Sequence, residues 1–344
     1  MQDHDEREEQ ATFLELFFDL VFVYAITQIA SYIHHENDVE AFLRATLVFA
    51  LVWWSWEQFS WTGNGIDLHQ PAARVWVLVA TASAFFMAQN VPLAFTHDGE
   101  WFSVPFAVTM SIGLGLYWWG LRQEREHQRA LVTYLPLAVA GVAVAAAGGF
   151  VPAGAQHWLY IAAFALFFAS GEASQFGTPF HIYPKHFAER HGLIVIIALG
   201  ESVIAVGLGS ADLERSAEFA IAIATGLGLV CLLWWAYFDW FHGSTEEALR
   251  DRAPHSRGGL ARDLYAFGHF PIVFGIMCLA VAGEEVVAHP EDALSTVGRF
   301  GLVAGTGLFQ LGIAATHYRA QREVLYLLTD LAGCEFQPYQ VEAG

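Results

Sequence analysis

Apolar stretches recur along the whole chain, each closed by a short polar or charged segment. Within a stretch the apolar residues run on without strand-like alternation, over lengths close to the roughly 20 residues that cross a bilayer core as one helix. Ten such segments are predicted, at 12–33, 41–61, 74–95, 101–121, 131–150, 156–171, 190–208, 217–240, 262–284 and 294–318. The sixth is short, so it tilts little or begins earlier. The pattern predicts an all-α polytopic membrane protein of about ten transmembrane helices. An acidic tail, 1–11, precedes the transmembrane domain, 12–318, and a segment at 319–344 follows it. In that last segment REVLYLLTDLAG places Val324, Leu327, Leu328 and Leu331 at helical spacing, the mark of an interfacial amphipathic helix.

The polar segments are not alike. Thirteen of the 16 Lys and Arg residues fall on the side of the N-terminus, and only Arg44, Arg215 and Arg299 on the other. Basic residues stay on the cytoplasmic side, so both termini are expected there, in a plasma membrane. An even number of spans requires the same. The opposite loops hold acids such as Glu36, Asp38, Asp98, Glu214 and Asp292.

A weak internal repeat is also visible. LVWWSWEQF (51–59) in the second span matches LLWWAYFDW (232–240) in the eighth, and GLGLYWWGL (113–121) matches GTGLFQLGI (305–313). Arg74 and Arg262 open the third and ninth. Spans 1–4 then correspond to spans 7–10 in the same orientation, a parallel repeat of the kind some transporters use.

Composition narrows the class. The chain is 55% hydrophobic and 15% charged with a mean hydropathy of +0.40, against about 25% charged in ordinary soluble domains. A net charge of −19 does not suit nucleic acid. The start QDHDEREEQ lacks the basic residues of a signal peptide, so the first span is expected to be retained. Cys231, Cys278 and Cys334 have no paired spacing, which argues against a zinc site or a disulfide framework. The only lysine, Lys185, lies outside the spans, which excludes a retinal Schiff base, and there is neither GxxxxGK[ST] nor DDxxD. No cofactor or metal is expected.

Against this background the intramembrane charges stand out, because each costs about 2.5–3.5 kcal/mol at the bilayer centre. In TFLELFFDLVFVYAITQ, Glu15 and Asp19 share one helix face, with Asp19 a turn deeper. Glu15, near the span end, is expected to reach the interface. Glu57, Glu172 and Asp239 lie near the same ends of their spans, where Arg74, Arg190 and Arg262 begin theirs, with His269 about 10 Å into the ninth. The deepest acid is Glu201 in HGLIVIIALGESVIAVGLG, about 15 Å from the span start and next to Gly200 and Ser202. The bland reading is a packing lock, Glu15 and Asp19 pairing with Arg74, Arg190 or Arg262. His181, His186 and His191 recur every five residues, about 140° apart on a helix, which is no one-face metal pair. They read as a wet loop ahead of the seventh span.

TFLELFFDLVFVYAITQIA, the Trp pair followed by Asn64 and Asp67, HFAERHGLIVIIALGESVIAVG, LLWWAYFD and YAFGHFPIVFGI occur in this order. Together, from about residue 10 to 290, they resemble the bacterial low temperature requirement protein A (LtrA) family. The resemblance implies a multi-pass bacterial membrane protein and maps family signature residues onto Glu15, Asp19, Glu201, Asp239, His191 and His269. After the tenth span the acidic tail departs from it.

Three functions follow as expectations. The first is a transporter of a small solute, with proton coupling as one form, in which Glu201 is the ion-coupling or substrate-facing carboxylate. Asp19, Glu15 and Asp239 would form a vestibule gated by Arg190 or Arg262. The second is an intramembrane enzyme acting on a lipid or isoprenoid, pairing Glu15 or Asp19 with His269 or His191. The third is a stress-related sensor or scaffold without turnover. Membrane lipids are expected partners, and a homo-oligomer is left open.

The charge bias yields the first prediction. A green fluorescent protein fused to the C-terminus will fluoresce and an alkaline phosphatase fused there will be inactive. The opposite pair of results would reverse the topology.

Overall fold

The computed structural model describes residues 11–36, 38–122, 128–173, 182–211, 213–253 and 256–331, without the side chains of 128–130 and 322–331. The described residues form ten long helices: α1 (Phe13–Glu36), α2 (Val39–Gly65), α3 (Pro71–Gln89), α4 (Glu100–Leu121), α5 (Gln128–Gly148), α6 (Gln156–Ala173), α7 (Pro184–Gly209), α8 (Ala217–Asp251), α9 (Arg257–Ala288) and α10 (Thr296–Leu331). All except α6 are long and apolar enough to cross a membrane. At 18 residues α6 has the length, but Gln156, His157 and Glu172 lie within it.

Among the described residues a helix stands at each of the ten expected positions, nine of them long and apolar enough to span, and the sixth is corrected to a helix that is not apolar enough. The boundaries carry further corrections. Helix α7 starts at Pro184, six residues before the predicted 190. Proline at a first helical turn gives up no needed donor and arrives with a helical φ. The backbone N–H of Tyr183, the residue before it, donates to Asn64 Oδ1 (3.1 Å) at the end of α2. His186 and His191 therefore belong to a helix and not to a wet loop. His181 and the tail beyond 331 lie outside the described residues, as does nearly all of 1–11. Helix α8 runs past 240 to Asp251, and the segment expected as a separate interfacial helix continues α10, which is 36 residues long.

Two π-helical turns interrupt the regular bonding, at Ala236–Phe241 in α8 and Arg262–Phe267 in α9. Such single turns often mark functional positions.

The neighbour pattern supports the repeat. Helix α1 packs on α2 and α3, α3 on α4, and α4 on α2; equally, α7 packs on α8 and α9, α9 on α10, and α10 on α8. Helices α5 and α6 pack on each other and join the first set. The two sets meet where α1 and α2 touch α7 and α9. Trp53 Nε1 crosses this seam to donate to Ala266 O (2.9 Å).

Within the second set α9 and α10 come together backbone to backbone. A Cβ on Gly275 would lie 2.7 Å from Phe309 N and 2.8 Å from Gly305 O, and one on Gly305 would lie 2.8 Å from Gly275 O. Small residues allow this approach in the absence of a hydrophobic drive between membrane helices. Gly275→Ala will lower stability by about 1–3 kcal/mol, the usual cost of overpacking, read as a fall in melting temperature in detergent. Gly307→Ala, where nothing lies within 4 Å, is the neutral control.

Candidate functional site

Helix α1 opens with a capping box. Thr12 Oγ1 accepts from the Glu15 backbone N–H (3.3 Å), and Glu15 Oε2 accepts from Thr12 N (2.8 Å) and Thr12 Oγ1 (3.0 Å). This reciprocal pair fixes the rotamer of Glu15 and leaves Oε1 facing the seam. Gly63 of α2 allows it: a Cβ there would sit 2.2 Å from Glu15 Oε1. The expectation that Glu15 reaches the interface is corrected, since it is 3% exposed.

Arg190, 1% exposed, lies opposite Glu15. Its Nη2 donates to Asp19 Oδ1, and its Nη1 to Phe59 O (3.2 Å) and Glu15 Oε1 (3.4 Å). Trp56 Nε1 donates to the same Asp19 Oδ1 (2.8 Å), and the guanidinium stacks over the Trp56 ring at 5.5 Å. His186 Nε2 approaches both Glu15 oxygens, at 3.1 and 3.3 Å. Of the three arginines offered as partners, only Arg190 takes that place. Arg74 contacts Leu68 O and His69, while Arg262 pairs with Asp263 and, at 3.5 Å, with Glu172.

One residue beyond Arg190 along α7, His191 faces a different acid. Its Nδ1 lies 2.8 Å from Phe187 O, and its Nε2 2.8 Å from Glu57 Oε1. A carbonyl only accepts, so Nδ1 carries a hydrogen. The Nε2···Oε1 contact then needs one more proton, on either atom. Glu57 and His191 thus share a single proton, and the pair is neutral overall wherever it resides. Glu57 Oε2 accepts from Trp61 Nε1 (3.2 Å). His269 follows the same logic. Its Nδ1 lies 2.9 Å from Leu264 O, five residues back through the π-turn, so its Nε2 accepts from Tyr237 OH (2.7 Å). The rings of His191 and His269 are 5.2 Å apart, edge to face.

Beside Glu57 is a cavity of about 40 Å³, lined in part by Gln58, Tyr134, Trp61 and Arg262. A water needs roughly 10–15 Å³ of such space, so the cavity has room for one or more.

A family model described as bacterial low temperature requirement A protein (LtrA) matches residues 10–334. The chain belongs to the LtrA family. The match runs through α10 into the tail, so the departure expected there does not take that region out of the family. Among curated relatives, the uncharacterized protein RA0937 of Rhizobium meliloti (strain 1021) is similar, 28% identical over 296 residues that cover 82% of this chain and 70% of the relative. No solved structure matches.

In this LtrA protein the predicted residues separate into three groups. Glu15, Asp19, Arg190, His191 and His269 converge at the seam. Glu201 is elsewhere: it accepts from Thr27 Oγ1 (2.5 Å), ten residues beyond His191, or about 15 Å along α7. With α7 starting at Pro184, it lies 17 residues into that helix and eight from its end at Gly209. Asp239 faces outward, accepting from Trp235 Nε1 (2.9 Å) one turn away, and does not join the vestibule. The π-turn around it directs Tyr237 and Phe241 inward instead.

Four site residues were not among the expected ones: Trp56, Glu57, His186 and Tyr237. The repeat held a signal for two of them. Aligning LVWWSWEQF with LLWWAYFDW on the Trp pair sets Trp56 opposite Tyr237, and both direct a polar hydrogen at a buried site group.

Removing one partner of a buried pair costs about 3–5 kcal/mol, because a charge is left uncompensated. Arg190→Met will therefore destabilise the protein by that order, measured by thermal unfolding in detergent. Adding Asp19→Asn and Glu15→Gln will recover part of the loss. Asp239→Asn will change stability by less than about 0.5 kcal/mol.

Proposed function

We propose that this LtrA protein is a transporter of the bacterial inner membrane, with both termini cytoplasmic, that moves a small solute in exchange or symport with protons. The reading rests on one observation: the Glu57–His191 pair, which must hold one shared proton, is buried at the seam between two similar helix sets. Transporters built from repeats bind substrate and coupling ion at such a seam and alternate access by moving one set against the other.

The chemistry divides along the same line. The acids Glu15, Asp19 and Glu57 come from α1 and α2, whereas Arg190, His186, His191, Tyr237 and His269 come from α7, α8 and α9. A relative movement of the two sets would lengthen the Glu57–His191 contact and release the proton to whichever side is then open. The cavity beside Glu57, with Arg262 in its wall, would supply water for transfer from the side of the N-terminus. Glu201, further along the same α1–α7 contact, is a second carboxylate available to a proton or solute on the opposite side.

The enzyme reading has less support. It pairs Glu15 or Asp19 with His191 or His269, whereas these histidines meet Glu57 and Tyr237.

The test uses purified protein in liposomes containing a pH-sensitive dye, with a panel of amino acids, carboxylates and organic cations outside. Proton movement that requires one of these solutes is expected, and Glu57→Gln will reduce it at least tenfold while leaving the melting temperature near wild type. The amide can still donate to His191 Nε2 but cannot give up a proton. Solute flux without proton movement, or an unchanged Glu57→Gln variant, would overturn the coupling site. The absence of any flux across the panel would overturn transport of these solute classes.

A further inference from the structure

Asp19 has a second surrounding. Besides the buried cluster it forms part of the wall of an apolar groove of about 330 Å³ between α1 and α7. The rest of the wall is Phe13, Leu16, Phe17, Leu20, Leu193, Ile196 and Ile197. The size lies within the roughly 300–1,000 Å³ of small-molecule pockets. Phe13, Phe17, Leu20 and Ile196 are 91, 51, 60 and 49% exposed, so the groove is open to the hydrocarbon region. Asp19 itself is 1% exposed.

Its two oxygens are not equivalent. Oδ1 accepts from Trp56 and Arg190, while Oδ2 is buried without a hydrogen-bond partner. Hydrocarbon cannot supply one, and an unsatisfied polar group there costs several kcal/mol. The cationic partner of Asp19 is also shared: Asp19 and Glu15 face one arginine, Arg190. His186 gives Glu15, not Asp19, its Nε2 hydrogen. Two acids thus divide one guanidinium beside an apolar groove.

We infer that the α1–α7 groove is a binding site for a single-chain lipophilic amine, its ammonium group on Asp19 and its alkyl chain along Phe17, Leu20 and Ile196. An ammonium brings what Oδ2 lacks, an N–H donor, together with a positive charge, and charge-assisted bonds of this kind are roughly twice as strong as neutral ones. A long-chain alcohol brings only the donor, and a fatty acid adds a second anion. Binding here does not rest on transport and is measured without flux.

The experiment uses the full chain in phosphatidylcholine nanodiscs and an alkylamine carrying a diazirine in its chain, with crosslinks mapped by mass spectrometry. Crosslinks are expected on peptides containing Phe17, Leu20 or Ile196, and excess dodecylamine will suppress them at least tenfold more effectively than dodecanol or dodecanoate. Asp19→Asn will lower the yield at these peptides about tenfold. Because that variant also touches Arg190, Ile196→Trp provides a second arm: it fills the groove from its exposed side, leaves Asp19 intact, and will lower the yield equally. Even labelling of all lipid-facing helices would overturn the site, as would equal competition by dodecanol or wild-type labelling of either variant.

Discussion

The structure depends on a single buried guanidinium. Arg190 binds Asp19, Glu15 and the Phe59 carbonyl at once, and through them joins α7 to both α1 and α2. Its planar array of donors suits the task, because it can serve two carboxylates and a carbonyl in fixed directions where an ammonium would act as a point charge. Remove its charge and three buried oxygens each lose a donor, and two carboxylates lose the cation they share. Such a buried network is weak evidence for stability in itself, since apolar packing would do as well or better. Its retention is more readily understood as a means of fixing one register between two helix sets that would otherwise slide on apolar surfaces.

Around that fixed point the chemistry is graded. The Arg190 cluster is charged and locked by geometry. Next to it, Glu57 and His191 share one proton, and His269 with Tyr237 closes the inner end with a neutral hydrogen bond. Polar groups that can exchange a proton are thus placed against groups that cannot move. The π-turns contribute to this arrangement. One lets His269 bond back five residues to Leu264, and the other brings Tyr237 to meet it.

Much of this was legible in the sequence, for a physical reason. Crossing a bilayer imposes a length and a composition that can be counted, so all ten helices were found. The gathering of costly residues toward one side was also readable, because Lys and Arg obey a charge asymmetry. What could not be read was rotation about the helix axis. Asp239 and Tyr237 are two residues apart, and only the π-turn decides which faces the core. The start of α7 was misplaced because His181, His186 and Lys185 read as a polar loop, while the bond from Tyr183 to Asn64, which anchors Pro184, is a contact across 119 residues. Glu15 was misjudged for the opposite reason. Its capping box with Thr12 is a purely local pattern, visible in TFLE, and it holds the carboxylate against the seam when depth alone suggested that it would escape to the interface.

The division of charge between the two helix sets has a consequence for biogenesis. Glu15, Asp19 and Glu57 are synthesised first, and the arginine and histidines that answer them come from α7, more than a hundred residues later. At translation rates of about 5–20 residues per second, the first two helices wait on the order of ten seconds for their partners. Throughout that interval three acids occupy segments destined for hydrocarbon, either neutralised by protons or sheltered from lipid by the insertion machinery. The early intermediate is therefore the most vulnerable state of this protein, and the arrival of α7 is the event that makes the first half of the chain a membrane domain.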